Sequence, residues 1–104
     1  MLSKLKQRAA LLSKTLAPDG GGGFSETWAT IGSVWIEIVP LSANERFSAD
    51  ALQTRIRHRL RLRARSDVVT GMRLATADRT FAIRAVLAAD AASPLMTLLV
   101  EELP

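Results

Sequence analysis

The chain contains no cysteine and no tyrosine, and its single histidine is His58. Without cysteine there are no disulfides and no thiolate metal sites. With one imidazole and no clustered carboxylates, the ligand set for a metal is too poor to expect one. Aromatic residues amount to Phe24, Trp28, Trp35, Phe47 and Phe81, so a core must be built mainly from Leu, Val, Ile and Ala. No apolar run reaches the ~18 residues of a membrane-spanning helix. Residues 1–16 carry Lys4, Lys6 and Arg8, and Lys14 interrupts the apolar stretch that a signal peptide requires. The expectation is a soluble intracellular protein with no membrane contact. Acids at a spacing suited to acid–base work are also missing. The reading is therefore of a non-enzyme with no catalytic residues, no metal and no cofactor.

What the chain does have is arginine. The 104 residues carry a net charge of +4 and a sequence pI of about 10.7, with the excess mostly arginine. That favours acidic partners such as nucleic acid, an anionic surface or an acidic protein ring. Arginine pairs bidentately with carboxylate or phosphate better than lysine does. The length suits one domain over residues 1–104, large enough to bury a core of marginal stability.

Arg55, Arg57, Arg59, Arg61, Arg63 and Arg65 occupy every second position, with Ile56, His58, Leu60, Leu62 and Ala64 between them. As a strand, this segment has a guanidinium face and a mostly apolar face. As a helix, its arginines scatter around the cylinder and leave no apolar stripe. A strand from about Thr54 to Arg65 is predicted, with charges ~6.6 Å apart along one face. Three answers to those charges are open. The face is solvated, with pairing across to Glu26, Glu37 or Glu101; or it meets carboxylates of a neighbouring subunit; or it meets phosphate, with a steep dependence on salt. Aromatics are not interleaved with the arginines, which argues against base stacking. His58 alternates onto the inner face with Ile56 and Leu60 and reads as structural rather than as a general base.

Elsewhere, Leu2, Leu5, Ala9, Leu12 and Leu16 fall at helical spacing, although the second half of that segment also suits a strand. Asp19 and Gly20, Gly21, Gly22 and Gly23 after Pro18 read as a flexible hairpin tip that can reach across an assembly interface. Residues 24–26 lack the Lys-Ser/Thr pair of a phosphate loop. Thr27–Val39 reads as a long strand ended by Pro40, with Trp28, Val34, Ile36 and Ile38 on one parity and both faces partly covered. Ser42 and Glu45 form a capping-box signature, so Ser42–Leu52 is predicted as one or two helical turns or a loop. Strands at Met72–Ala75, Thr80–Leu87 and Leu95–Glu101 follow, with turns at Ser66–Gly71, Asp78–Arg79 and Asp90–Pro94 and a bulge suggested at Val86. The fold class is all-β, a small antiparallel barrel or sandwich of about six strands, with a short helix or loop inserted between strands 2 and 3.

The ordered set Glu26-Thr27-Trp28, Val34 through Ser42 with Glu45, Ile56 through Arg63, Gly71-Met72-Arg73-Leu74 and Arg79 through Ile83 resembles the phage head–tail joining family. These are the head-closure, stopper or head–tail adaptor proteins of long-tailed phages, prophages and gene transfer agents. The resemblance covers about Leu5 to Glu102. It implies a small β-barrel that assembles into a homo-oligomeric ring of six or twelve copies, with an adaptor or portal ring above and a tail terminator or tail tube below. Double-stranded DNA would pass through the channel. It also implies that Arg8–Leu16 is the first strand, against the helical count. The loop at 41–53 would line or close the channel, with Ser42, Asn44, Glu45, Arg46, Phe47 and Asp50 as candidates. The six arginines become candidates for interface or DNA phosphate, and residues 19–23 candidates for hairpin-tip contacts. The place implied is the head–tail junction of a virion or virion-like particle, made in the bacterial host cytoplasm. The rival reading is a monomeric basic barrel that binds nucleic acid.

Overall fold

The computed structural model describes residues 5–42, 56–87 and 94–104. Six strands run in the order β1 (Gln7–Pro18), β2 (Phe24–Pro40), β3 (His58–Arg63), β4 (Arg73–Ala75), β5 (Thr80–Leu87) and β6 (Leu95–Leu103). All neighbouring pairs are antiparallel, and the sheet closes on itself in the order β1-β2-β3-β6-β5-β4. Closure removes sheet edges and gives one inward face, where the aliphatic residues gather. Leu11, Ile36, Leu60, Leu62, Leu74, Phe81, Ile83, Leu98 and Val100 are all fully buried there. They come from every strand in alternation, as a filled small barrel requires.

The first segment is a strand, in agreement with the resemblance and against the helical spacing. Ala9 and Leu11 point inward. Leu12 and Leu16 lie on the opposite parity, so leucines spaced three and four apart serve two faces of a strand rather than one face of a helix.

The register between β1 and β2 shifts at Leu11/Leu12, where Leu11 pairs with Gly32 and Leu12 with Thr30. Ile31 is the extra residue of this bulge. The bulge reverses the parity of β2. Val34 and Ile36 are buried, whereas Trp28 pairs with Lys14 and stacks against Arg73 from β4, 4.0 Å from ring centroid to guanidinium carbon. Trp28 therefore does not share a face with Val34 and Ile36, as unbroken alternation would have it. The second face of β2 is covered only in part, with Ile31 and Trp35 exposed and Glu37 and Val39 half-buried.

A second bulge lies in β5. Ile83 pairs with Val100 and Ala85 with Leu99. The irregularity thus falls at Arg84, two residues before Val86. It turns Arg84 outward, where its Nε and Nη2 donate to Glu101 Oε1 at 3.0 and 2.8 Å.

β3 is shorter than the predicted strand, since only His58–Arg63 are in the ladder. Its ends are held by single bonds, from the Leu41 amide to the Arg57 carbonyl and from the Ala64 amide to the Pro94 carbonyl, both 2.9 Å. At Gly71 the backbone takes φ +98° and the amide donates to the Ile83 carbonyl. A side chain there is strained by the backbone alone. Thr76 closes the turn into β5, its amide bonding the Arg79 carbonyl and its hydroxyl accepting from the Arg79 amide.

Candidate assembly surface

The alternation of the arginine strand is realised. Leu60 and Leu62 lie in the core at zero exposure, while Arg59, Arg61 and Arg63 point out of the barrel. The three answers to their charge divide among positions. Arg61 faces Glu37 across the β2–β3 ladder, 3.9 Å away. Arg65 leaves the strand and grips Asp67 with two bonds of 2.9 and 2.8 Å. That pairing raises the arginine's pKa and lowers the aspartate's. Glu26 and Glu101 pair instead with Lys14 and Arg84. Arg57 and Arg63 are exposed without a carboxylate partner among the described residues. Arg55, Asn44, Glu45, Arg46, Phe47 and Asp50 lie outside the described residues, as does most of the predicted 42–52 helix or loop. Ser42, at the exit of β2, is exposed.

Beyond the barrel, β1 and β2 continue as a two-stranded ribbon, because β4 pairs with β1 only at residues 10–12 and β3 pairs with β2 only at 36–40. The glycine tip has internal geometry. Asp19 Oδ1 accepts from the Gly21 and Gly23 amides at 2.8 and 3.1 Å, and the Asp19 amide donates to the Gly23 carbonyl. Gly20 and Gly22 take φ of 84° and 86°, which is why glycine stands there. Directly paired residues share a face. One ribbon face therefore carries Lys14, Leu16, Glu26, Trp28 and Phe24, and the other carries the small residues Ser13, Thr15, Ala17, Ser25, Thr27 and Ala29. Leu16 and Phe24 are 55% and 67% exposed.

At the foot of the ribbon, β2 parts from the end of β3. The corner is a cleft of about 290 Å³ lined by Ser33, Val34, Trp35, Arg63 and Arg65. Trp35 is 53% exposed, and Arg8 lies over its ring, 5.9 Å from the centroid. Arg65 passes so close to Gly32 that a Cβ there would sit 3.2 Å from its guanidinium nitrogens.

The opposite mouth of the barrel holds a cluster that alternation did not reveal. Arg79 makes two bonds to Glu102, 2.9 and 2.8 Å, and its guanidinium lies 4.9 Å from the Phe81 ring centroid. His58 meets Phe81 edge-on at 5.8 Å, and its Nε2 faces Arg79 Nη2 at 3.4 Å. A guanidinium only donates, so Nε2 accepts and the ring proton belongs on Nδ1, which is buried without a partner. Burial first, then Arg79, pushes the His58 pKa down, with Arg57 adding to it and Glu102 opposing. His58 is half-buried at this mouth. Its folded pKa lies below the unfolded value near 6.5, so its neutral form stabilises fully above that value and loses stability as pH falls below it. Between about pH 7.5 and 5.5, the urea midpoint of the wild type should fall and that of His58→Phe should stay flatter. Equal slopes would remove His58 from this role.

The described residues thus form a closed all-β barrel with a packed interior and an outer wall bearing exposed aromatics and arginines without carboxylate partners. The chain matches the model of the phage head completion protein family over residues 2–103. It belongs to that family, and is a structural head–tail protein of a phage-type virion. Two solved structures share the fold. Protein SF1141 from Shigella flexneri 2a aligns at TM-score 0.78 with 23% identity, covering 95% of this chain and 93% of that one. A chain of the native gene transfer agent virion aligns at TM-score 0.66 with 21% identity, covering 94% of each. No curated protein matches the chain.

Proposed function

We propose that the protein is a head-closure, or stopper, component that forms a ring between the portal-adaptor and the tail of a phage or gene transfer agent. The match to the head completion family over residues 2–103 carries this reading. One domain, residues 1–104, supplies the rigid barrel, and the connection at 41–53 leaves it at the end opposite the ribbon to line or close the DNA channel. The work is geometric and non-enzymatic. It matches a ring above to a tail tube below and retains packaged double-stranded DNA. Six or twelve copies complete the ring. The arginine face serves contact between subunits or with the adaptor. Arg57 and Arg63, which lack carboxylate partners among the described residues, are the positions open to an acidic neighbour or to phosphate.

Cryo-electron microscopy of the intact particle tests this directly. The expected result is a closed ring of this chain at the head–tail joint, with residues 41–53 facing the axis. Finding the protein only as a monomer, or away from that joint, would overturn it. The monomeric nucleic-acid-binding alternative predicts that binding to a short duplex weakens steeply as salt rises, and that Arg57→Ala or Arg63→Ala flattens the slope. Binding that is absent or indifferent to salt removes that alternative.

A further inference from the structure

Two features of the outer surface are left more than half exposed at their apolar residues, and they complement each other. The first is the ribbon face that carries Leu16 and Phe24. Both are apolar and more than half exposed, on a ribbon that has left the barrel and has nothing of its own to cover. With Asp19, Glu26 and Lys14, this end of the ribbon has a net charge of −1. The second is the corner at Trp35, apolar at its base through Trp35 and Val34 and flanked by Arg8, Arg63 and Arg65. Counting Asp67, which holds Arg65, the corner has a net charge of +2. An exposed tryptophan beside arginines is the composition of an interface anchor.

Resting on the ring reading above, we propose that the Leu16–Phe24 face of one copy's ribbon docks into the Trp35–Arg63 corner of the next copy. The two surfaces lie on different parts of the chain, so the contact is heterologous and passes from copy to copy, as a closed ring requires. Phe24 supplies the aromatic that meets Trp35. Glu26, whose exposed pairing with Lys14 is 3.5 Å long, also offers its carboxylate to Arg63, which has no counter-charge among the described residues. Arg65, held by Asp67, lies over Gly32 beside the corner. Duplex DNA suits the corner less well. The cleft is small, part of its charge is already neutralised, and phosphate gains nothing from the exposed indole.

The absence of native cysteine makes a covalent test clean. Phe24 and Ser33 are nine residues apart on one strand, roughly 30 Å, far beyond the ~4.4–6.8 Å Cα separation of a disulfide. Any bond in the doubly substituted Phe24→Cys, Ser33→Cys protein is therefore intermolecular. In oxidised particles carrying this variant, a ladder of covalent multimers is expected on a non-reducing gel. Rings visible by electron microscopy in particles that give only monomer on the gel overturn the contact and leave the ring reading standing. Particles without any ring of this chain overturn both. Cross-linking of position 33 to an adaptor or tail subunit also overturns the contact. Should the cysteine variant fail to enter particles, Phe24→Ala decides. A monomer that melts normally and is incorporated at least about tenfold less well supports the contact, and incorporation at the wild-type level overturns it.

Discussion

Leu62→Asp should abolish folding, whereas Arg61→Glu, one residue away, should leave a folded monomer. Leu62 is at zero exposure between Ile36 and Met96 on the neighbouring strands. A carboxylate there has no hydrogen-bond partner and no counter-ion. Its burial costs more than about 4 kcal/mol, most of the stability of a domain this size. Arg61 faces solvent and makes one long ion pair with Glu37. Reversal loses that pair and opposes two carboxylates across the ladder, a loss of about 1 kcal/mol or less. Urea unfolding followed by tryptophan fluorescence separates the two outcomes. A folded Leu62→Asp protein, or an unfolded Arg61→Glu protein, would contradict the two-faced strand on which the architecture stands. If Arg61 also meets a neighbouring subunit, its reversal will appear as lost assembly with the monomer intact.

Phe81→Ala should cost about 3–5 kcal/mol. Phe81 is the largest fully buried side chain among the described residues, and it does more than fill volume. Its ring receives the edge of His58 and lies beside the Arg79 guanidinium. Removing it leaves a cavity at the barrel mouth and frees the arginine that fixes Glu102. Calorimetry should find the melting temperature lowered by more than ~10 °C. Phe24→Ala is the control, because Phe24 is largely exposed and should change stability by no more than about 0.5 kcal/mol. Similar losses at the two sites would mean that the core is wrongly drawn.

The arginine strand was legible because a charge at every second residue has only one regular conformation with a clean division of faces. The chain of β-formers in β2 and the turns before β5 were legible for the same local reasons. What local pattern could not supply was parity across a bulge. Ile31 is an ordinary β-branched residue, and nothing in its neighbourhood announces that it is the extra residue that turns Trp28 away from Val34. The helical spacing of Leu5, Ala9, Leu12 and Leu16 misled for a related reason, since these residues serve the barrel interior and the ribbon exterior in turn. On the candidate surface, the arginines were found by pattern, but the split among Glu37, Asp67 and open solvent depends on register. The pairing of Arg8 with Trp35 across β1 and β2 and the cluster of His58, Arg79 and Glu102 join residues far apart in sequence. The first depends on the register of the β1–β2 hairpin, and the second on the pairing of β6 with both β3 and β5.

Closure of the barrel rests on very little. β1 meets β4 through three residue pairs, Ala10 with Ala75, Leu11 with Leu74 and Leu12 with Arg73, and β4 is itself only three residues long. A hoop joined by one short stave has its weakest seam there. Thermal breathing or mechanical load should part the wall along this line first, uncurling the cylinder into an open sheet while β3, gripped on both flanks, keeps its neighbours.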